Sequence, residues 1–256
     1  MNERFKIDNV AISIINLEEA VCQILEKAKS KVPAYVCVTN VRATYIGNHD
    51  ESFCRILNNS FLTVPDGKPL EWYAYLSGLK MVKRASGPDI FNQICHKTEN
   101  TELTHFFYGS SPEVIQRMEE NLKRKWPALK IAGFVSPPFV SAEELANSNI
   151  IQQINQLKPT FVWIGLGAPK QERFMDLIIK KIESSILIGV GLVFDYQAGT
   201  VKRAPFWMQK SGLEWLYRIL QQPGRVNTQS ILTLLSIIPL IVKVIFLKIR
   251  NGKSKV

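Results

Sequence analysis

The chain has 256 residues, of which 46% are apolar and 21% are charged. This composition is typical of a globular protein with a sizeable core, in one large α/β domain or two small ones. The four cysteines form no Cys-x-x-Cys pair and no His/Cys metal-ligand spacing, which favours scattered thiols in a reducing compartment. The N-terminus has no apolar segment behind its charges, so no secretory signal is predicted.

The formal net charge of +10 is distributed very unevenly. Ten basic residues and one acid follow residue 199, so this tail carries +9 and the preceding 199 residues carry +1. Such an asymmetry indicates a polyanionic partner for the tail, either a membrane surface or nucleic acid.

Short apolar runs alternate with helical patterns from about residue 30 to residue 200. Strands are predicted at 34–38, 61–64, 105–108, 130–135, 160–164 and 186–190. Helices are predicted from the end of the first strand to about 58, and at 70–76, 111–125, 141 onward and 169–182. Repeated strand-then-helix units predict an α/β fold, with a mainly parallel sheet and helices on both faces.

The tail has a different pattern. Residues 204–222 are predicted to form one or two short amphipathic helices, and the run 231–247 is apolar except for Lys243. As a helix this run reaches about 25 Å, short of the ~30 Å hydrocarbon core of a bilayer. Gln229, Ser236, Lys243 and Arg250 recur every seven residues as a narrow polar stripe. This favours a helix lying in the membrane interface with a basic end at anionic lipid. A marginal spanning helix and a packing or oligomer surface are the alternatives.

Three loops follow predicted strands and should meet at one edge of the sheet, because ligands of parallel sheets bind at the carboxyl ends of the strands. They are residues 39–40, 65–67 and 165–172. In the second loop, Asp66 between Pro and Gly is either a turn residue that bonds its own backbone or a general base.

The third loop has the order strand, G-x-G, helix, which suits phosphate binding. Lys170 replaces the third glycine of a dinucleotide fingerprint. Gln171 falls in the first helical turn, where its amide is predicted to contact a ligand. The alternative is that residues 169–172 are only a solvated start of the helix. Arg84 precedes another helix and is either a phosphate ligand or a surface charge.

Several motifs are absent. The chain has no D-x-D, no G-x-S-x-G and no complete Walker A sequence. No metal site and no cofactor are therefore predicted, and a leaving diphosphate would be balanced by arginines, lysines and helix termini.

Six stretches in order resemble the WecG/TagA/CpsF family of bacterial glycosyltransferases, from about residue 5 to residue 225. They are VPDG at 64–67, RASGPD at 84–89, GLGAPKQE at 165–172, GVGLVFDYQAG at 189–199, KRAP at 202–205 and GLEWLYR at 212–218.

The resemblance implies a Rossmann-like catalytic domain, residues 1–200, and a basic membrane-associating appendage, residues 201–256. It implies inverting, metal-independent transfer of a sugar from a UDP-sugar to a polyprenyl-diphosphate-linked sugar acceptor, in cell-surface polysaccharide synthesis. The protein would act in the cytoplasm on the inner face of the cell membrane, and whether it forms a homo-oligomer is left open. The segment after Asp66 is more similar to the exopolysaccharide and capsule branch than to the teichoic-acid branch.

By the same resemblance Asp66 is the base. The implied substrate contacts are Thr39, Asn40, Arg84, Gln171, Asp195, Arg203, Arg218 and Arg225.

The sequence departs from the family pattern at two places. Val38 lies where the family often has threonine, and Asn227-Thr228-Gln229 follow where related chains continue with arginines.

Three other classes compete with this interpretation. An NAD-dependent dehydrogenase would need the missing third glycine. A non-catalytic basic membrane adaptor would use only the tail and would leave Asp66 dispensable. A nucleic-acid-binding protein could use the tryptophans and arginines of the tail, but the apolar run 231–247 argues against it, so no nucleic-acid partner is predicted.

Overall fold

A computed structural model of the chain describes residues 3–221 and 228–253. The strands are β1 (Arg4–Ile7), β2 (Val10–Ser13), β3 (Ala34–Thr39), β4 (Leu62–Pro65), β5 (Thr104–Gly109), β6 (Lys130–Val135), β7 (Phe161–Gly165) and β8 (Ile186–Gly189). The helices are α1 (Leu17–Lys29), α2 (Val41–His49), α3 (Glu51–Asn59), α4 (Lys68–Leu76), α5 (Gly87–Thr98), α6 (Pro112–Lys125), α7 (Ala142–Ala146), α8 (Ile150–Leu157), α9 (Lys170–Ile179), α10 (Val193–Ala198), α11 (Phe206–Lys210), α12 (Glu214–Gln221) and α13 (Thr228–Lys253).

Six strands form one parallel sheet in the order β4-β3-β8-β7-β5-β6. Alternate residues of each strand enter two separate cores, one on each face. In β3, Val36 and Val38 pack into one core and Tyr35 and Cys37 into the other. Burial on both faces explains why these strands are continuous apolar runs. The predicted α/β fold, with a parallel sheet and helices on both faces, is confirmed.

The helix predicted from 39 to about 58 is two helices, α2 and α3. Asp50 separates them, because its side chain accepts a hydrogen bond from the Phe53 amide (3.0 Å) and caps α3. The predicted cap at Ser141 forms a capping box with Glu144.

The first 30 residues, for which no element was predicted, form the antiparallel hairpin β1–β2 and helix α1. The hairpin lies beside the edge strand β4. Arg4 donates to the backbone carbonyls of Asn58, Ser60 and Phe61, and the Thr63 amide donates to the Ser13 hydroxyl (3.1 Å). These bonds satisfy polar groups at one side of the sheet.

Helices α11 and α12 occupy the region where one or two short helices were predicted, and α13 packs against α2 and α4. In the described part of the chain, none of the helices combines the length and the apolar character that crossing a bilayer requires. The division into two domains at residue 200 stays a prediction.

The two sides of α13 differ in character. Ser236 and Leu240 are buried against the body of the protein, and Lys243 pairs with Asp8 of the hairpin. Two members of the polar stripe therefore face inward. The opposite side is exposed and apolar, and it carries Ile238, Ile241, Val242, Ile245, Phe246 and Ile249. This set is called the outer face of α13 below.

Candidate active site

Two neighbouring cavities open at the carboxyl edge of the sheet. The first, of about 110 Å³, lies where β3 and β4 end and is covered by α12. Its lining includes Asn40, Arg42, Asp66, Lys68, Arg84, Glu214, Trp215 and Arg218. The second, of about 560 Å³, lies at the ends of β5, β6, β7 and β8. Its lining includes Ser110, Ser136, Phe139, Gly165, Gly167, Lys170, Gly191 and Asp195. The three predicted loops thus divide between two cavities.

Asp66 is held at the floor of the first cavity by its backbone. Its amide donates to the carbonyl of Thr39 (2.8 Å), and Gly67 then turns the chain into α4 with a φ of +110°, which favours glycine. Among the described residues the Asp66 carboxylate accepts no backbone hydrogen bond, and Arg84 Nε lies 3.8 Å from it. The carboxylate is therefore directed into the cavity and does not stabilise its own turn.

Burial raises the pKa of Asp66 above its ordinary value, and the charge of Arg84 opposes this shift. A buried carboxylate with a raised pKa and only a distant ion pair is suited to accept a proton.

Glu214 of α12 joins two arginines above Asp66. Its carboxylate accepts from Arg84 Nη2 (2.5 Å) and from Arg218 Nη2 (3.4 Å). The side chains of Arg84 and Glu214 are only 11% and 13% exposed. Arg84 and Arg218, predicted from distant parts of the sequence, are thus brought together at Asp66.

Thr39 and Asn40 differ in their access to the cavity. Thr39 is buried (1% exposed), and its hydroxyl donates to the carbonyl of Cys37 (3.4 Å). Asn40 lines the cavity and caps α2, because its side-chain oxygen accepts from the Ala43 amide (3.0 Å). Only Asn40 of this pair reaches the space where a ligand would lie.

Gln171 is directed into the protein. Its oxygen accepts from the Gly167 amide (3.2 Å), and its nitrogen donates to Glu172 Oε1 (2.9 Å). Gly189 permits this arrangement, because a Cβ there would lie 3.1 Å from Gln171 Nε2. The Gln171 amide therefore forms its hydrogen bonds within the protein, where it fixes the glycine loop at residues 165–167. It is not directed to a ligand.

Asp195 and Arg203 do not line the first cavity. Asp195, in α10, lines the second cavity. Arg203 forms a two-point ion pair with Asp89 (2.6 and 2.8 Å) and also donates to Ser86 (3.0 Å). Arg225 lies outside the described residues.

Sequence reasoning assigned no role to Arg42, Glu214 or Phe139. The Phe139 ring is fully exposed at the second cavity, with Lys170 Nζ 5.1 Å from its centre. Glu214 lies inside the motif at 212–218, but its partner Arg84 is far away in sequence. Within the described residues, no three His, Cys, Asp or Glu side chains group as metal ligands.

The sheet defines a Rossmann-like α/β protein, and its two edge cavities lie where the strands end, which is where such folds bind their ligands. The family model described as "Glycosyl transferase WecG/TagA/CpsF family" matches residues 5–252. The chain belongs to this family and is a glycosyltransferase. The match extends past residue 225, where the resemblance was expected to end, and includes almost all of α13.

Two relatives carry the name N-acetylglucosaminyldiphosphoundecaprenol N-acetyl-beta-D-mannosaminyltransferase. The protein of Bacillus subtilis strain 168 is 29% identical over 195 residues, which cover 76% of this chain and 74% of the relative. The protein of Bacillus spizizenii strain W23 is 29% identical over 192 residues, covering 75% and 73%.

Proposed function

We propose that this glycosyltransferase moves a sugar, with inversion and without a metal, from a UDP-sugar to a polyprenyl-diphosphate-linked sugar. The observation that carries the proposal is the Asp66 carboxylate, largely buried in a cavity beside Arg84 and Arg218. The names of the two relatives make N-acetylmannosamine the first donor sugar to test and a diphosphate-linked N-acetylglucosamine lipid the first acceptor.

The donor nucleotide occupies the second cavity in this proposal. Phe139 offers an exposed aromatic face for the base, and such stacking is worth about 1–3 kcal/mol for a nucleic-acid base. The amides of the glycine loop and Lys170 provide positive charge for the phosphates. The sugar then extends toward Asp66.

The acceptor occupies the first cavity, where Arg84 and Arg218 hold its diphosphate. Asp66 takes the proton from the acceptor hydroxyl as its oxygen bonds to C1 of the donor sugar. The bond from C1 to the donor phosphate oxygen breaks on the opposite side, and UDP leaves with the bonding electron pair. The proton remains on Asp66.

The protein works on the inner surface of the cell membrane in this proposal. The outer face of α13 is apolar and unpartnered among the described residues, and Lys248 and Arg250 are exposed near its end. An apolar helix face flanked by basic residues suits an anionic bilayer surface. A lipid-linked acceptor would be met there.

The test is UDP release from a panel of UDP-sugars, with the full chain in detergent and a synthetic polyprenyl-diphosphate N-acetylglucosamine acceptor. Asp66→Asn should lower acceptor-dependent release by roughly 10²–10⁴-fold, because it removes the base but keeps the shape. Since the pKa of Asp66 is raised and the base must be ionised, wild-type activity should also fall toward acid pH.

Glu183→Gln is the matched control, because Glu183 is 59% exposed and pairs with Lys158 at the surface. It should retain wild-type release. Full activity in Asp66→Asn would place the base elsewhere. A wild-type protein that neither releases nor binds UDP would contradict the transfer reaction and favour the membrane-adaptor alternative.

A further inference from the structure

Arg42 lies at the boundary between the two cavities. It is the second residue of α2 and lines the first cavity together with Asp66. Its Nη1 donates to the carbonyl of Ala168 (3.4 Å), in the loop whose glycines line the second cavity. Arg42 thus joins the first cavity to the loop that borders the second.

Arg42 differs from the other arginines near the site in its partners. Arg84 and Arg218 share Glu214, and Arg203 is held by Asp89. Within the described part of the chain, Arg42 has no carboxylate at ion-pair distance, and its single hydrogen bond is the long one to Ala168. The buried Glu172 acts on it only through longer-range electrostatic attraction.

Burial lowers the pKa of the half-buried Arg42 guanidinium, and among the described residues no carboxylate pairs with it. The guanidinium has five donors, and those without a protein partner are open to a ligand or to solvent. One long hydrogen bond to a carbonyl does not satisfy them. The arrangement is that of a cation kept for an anionic ligand, and the position of Arg42 indicates which part of the ligand it meets.

We infer that Arg42 binds the diphosphate of the donor and stabilises the nucleoside diphosphate as it leaves. This rests on the proposed function. With the nucleoside in the second cavity and the sugar at Asp66 in the first, the diphosphate between them must cross the boundary at Arg42.

The chemistry of the step requires a cation at that point. As the bond from C1 to the phosphate oxygen breaks, the bonding pair and its negative charge move onto the leaving UDP. A guanidinium already fixed there stabilises this charge more in the transition state than in the bound donor, because the charge on that oxygen is still growing. Its planar fork also suits two phosphate oxygens at once.

The test compares Arg42→Gln and Arg42→Lys in the full-length chain. Donor kcat and KM are measured at saturating acceptor, and UDP affinity is measured by calorimetry. Arg42→Gln should lower kcat by roughly 10²-fold, similar to the loss of one donor from an oxyanion hole, and should weaken UDP binding about tenfold. Arg42→Lys should recover part of both, because it keeps the charge but loses the fork.

Arg55→Gln is the control, because Arg55 lies on the next helix, is 67% exposed and pairs with Glu51 of its own helix. It should match the wild type in all three measurements. Equal losses in Arg42→Gln and Arg42→Lys together with a lower melting temperature would instead assign Arg42 a purely structural role in holding Ala168.

The outcomes separate the two proposals. Normal kcat and UDP affinity in Arg42→Gln, in a protein whose wild type transfers sugar, would overturn the inference alone. A wild type that binds no UDP would overturn the transfer reaction and the inference together. A wild type that binds UDP but transfers no sugar tested would still support the inference if Arg42→Gln weakens that binding and Arg55→Gln does not.

Discussion

At the scale of single residues, two buried titratable groups act on stability in opposite directions. Burial raises the pKa of Glu172 to about 7, and burial lowers the pKa of His105 to about 3. The indole of Trp163 donates to His105 Nδ1 (3.0 Å), so the other ring nitrogen carries the proton and donates to the Thr98 hydroxyl (2.9 Å). The folded protein therefore favours the protonated form of Glu172 and the neutral form of His105.

The two pKa shifts make the free energy of unfolding change with pH in opposite directions. The folded state binds a proton at Glu172 more tightly than the unfolded state between about pH 4.5 and 7, so this contribution to the free energy of unfolding is lost as pH rises. His105 is protonated more readily in the unfolded state between about pH 3 and 6.5, so its contribution is gained as pH rises. The two slopes oppose each other from about pH 4.5 to 6.5.

Because the two contributions overlap in pH, the contribution of Glu172 to stability is measured by comparing a Glu172 variant with the wild type. Glu172→Gln should match the wild type in free energy of unfolding near pH 4.5 and exceed it by on the order of 3 kcal/mol at pH 8, because the variant avoids burying a charge. Urea unfolding at several pH values measures this. Glu183→Gln, at an exposed acid, should give no pH-dependent difference. A Glu172→Gln effect that is constant across the range would contradict the assignment.

At the scale of elements, α12 is held mainly by polar contacts. None of its residues is fully buried, and Gln221 exchanges two hydrogen bonds with the backbone of Lys202 (2.8 and 3.1 Å). The ion pair from Glu214 to Arg84 is its tie to the body beside Asp66. This position makes α12 a cover for the first cavity.

Glu214→Ala should loosen α12 and lower transfer activity. Removing the Glu214 carboxylate leaves the buried Arg84 with only the longer contact to Asp66 (3.8 Å), at a cost of about 3 kcal/mol. Hydrogen exchange should then be faster in α12, with little change in the parallel sheet. Glu119→Ala is a suitable control, because it removes an ion pair with Lys123 on the exposed surface of α6. Unchanged exchange in α12 would show that Arg84 does not anchor this helix.

At the scale of the whole molecule, the positive charge and the outer face of α13 lie in the same C-terminal part of the chain. We expect binding to vesicles that contain anionic lipid, weakened but not abolished by salt, because salt screens charge and leaves apolar contact intact. Val242→Glu with Phe246→Glu should reduce co-sedimentation strongly at an unchanged melting temperature.

The inward side of α13 provides the contrasting variant. Leu240 is 7% exposed, so Leu240→Ala should destabilise the protein by about 2–3 kcal/mol. Its vesicle binding should remain when it is assayed well below its melting temperature. Vesicle binding that survives the two outer-face substitutions would contradict the assigned orientation of the helix.

The sheet was predictable because five of its six strands are buried on both faces and the edge strand β6 is also mainly apolar. The bounds of β6 agree with the prediction, and those of β3 and β8 differ by one residue. The hairpin β1–β2 was not predicted, because its strands have four residues each and β1 includes the charged Arg4 and Lys6. Helices α8 and α10, of eight and six residues, are also too short for a clear periodic pattern.

The site was predictable only in part. Asp66 and Asn40 follow strands, so the topology alone brings them to one edge. The partners of Arg84 and Arg203 are acids far along the chain, at Glu214 and Asp89, and no local pattern encodes such pairs. The inward direction of Gln171, in α9, likewise depends on Gly189, which ends strand β8.

The hairpin beside β4 also bears on self-association. Edge strands offer unpaired amides and carbonyls to which a second chain can add a strand. At β4, the Thr63 amide already donates to the Ser13 hydroxyl. Arg4 donates to the carbonyls of Ser60 and Phe61, just before the strand. At the other edge, β6 begins with Lys130 and its pairing with β5 shifts register at Ala132, an irregularity that discourages further pairing. Both borders of the sheet are thereby protected against the strand-to-strand growth that leads to aggregation.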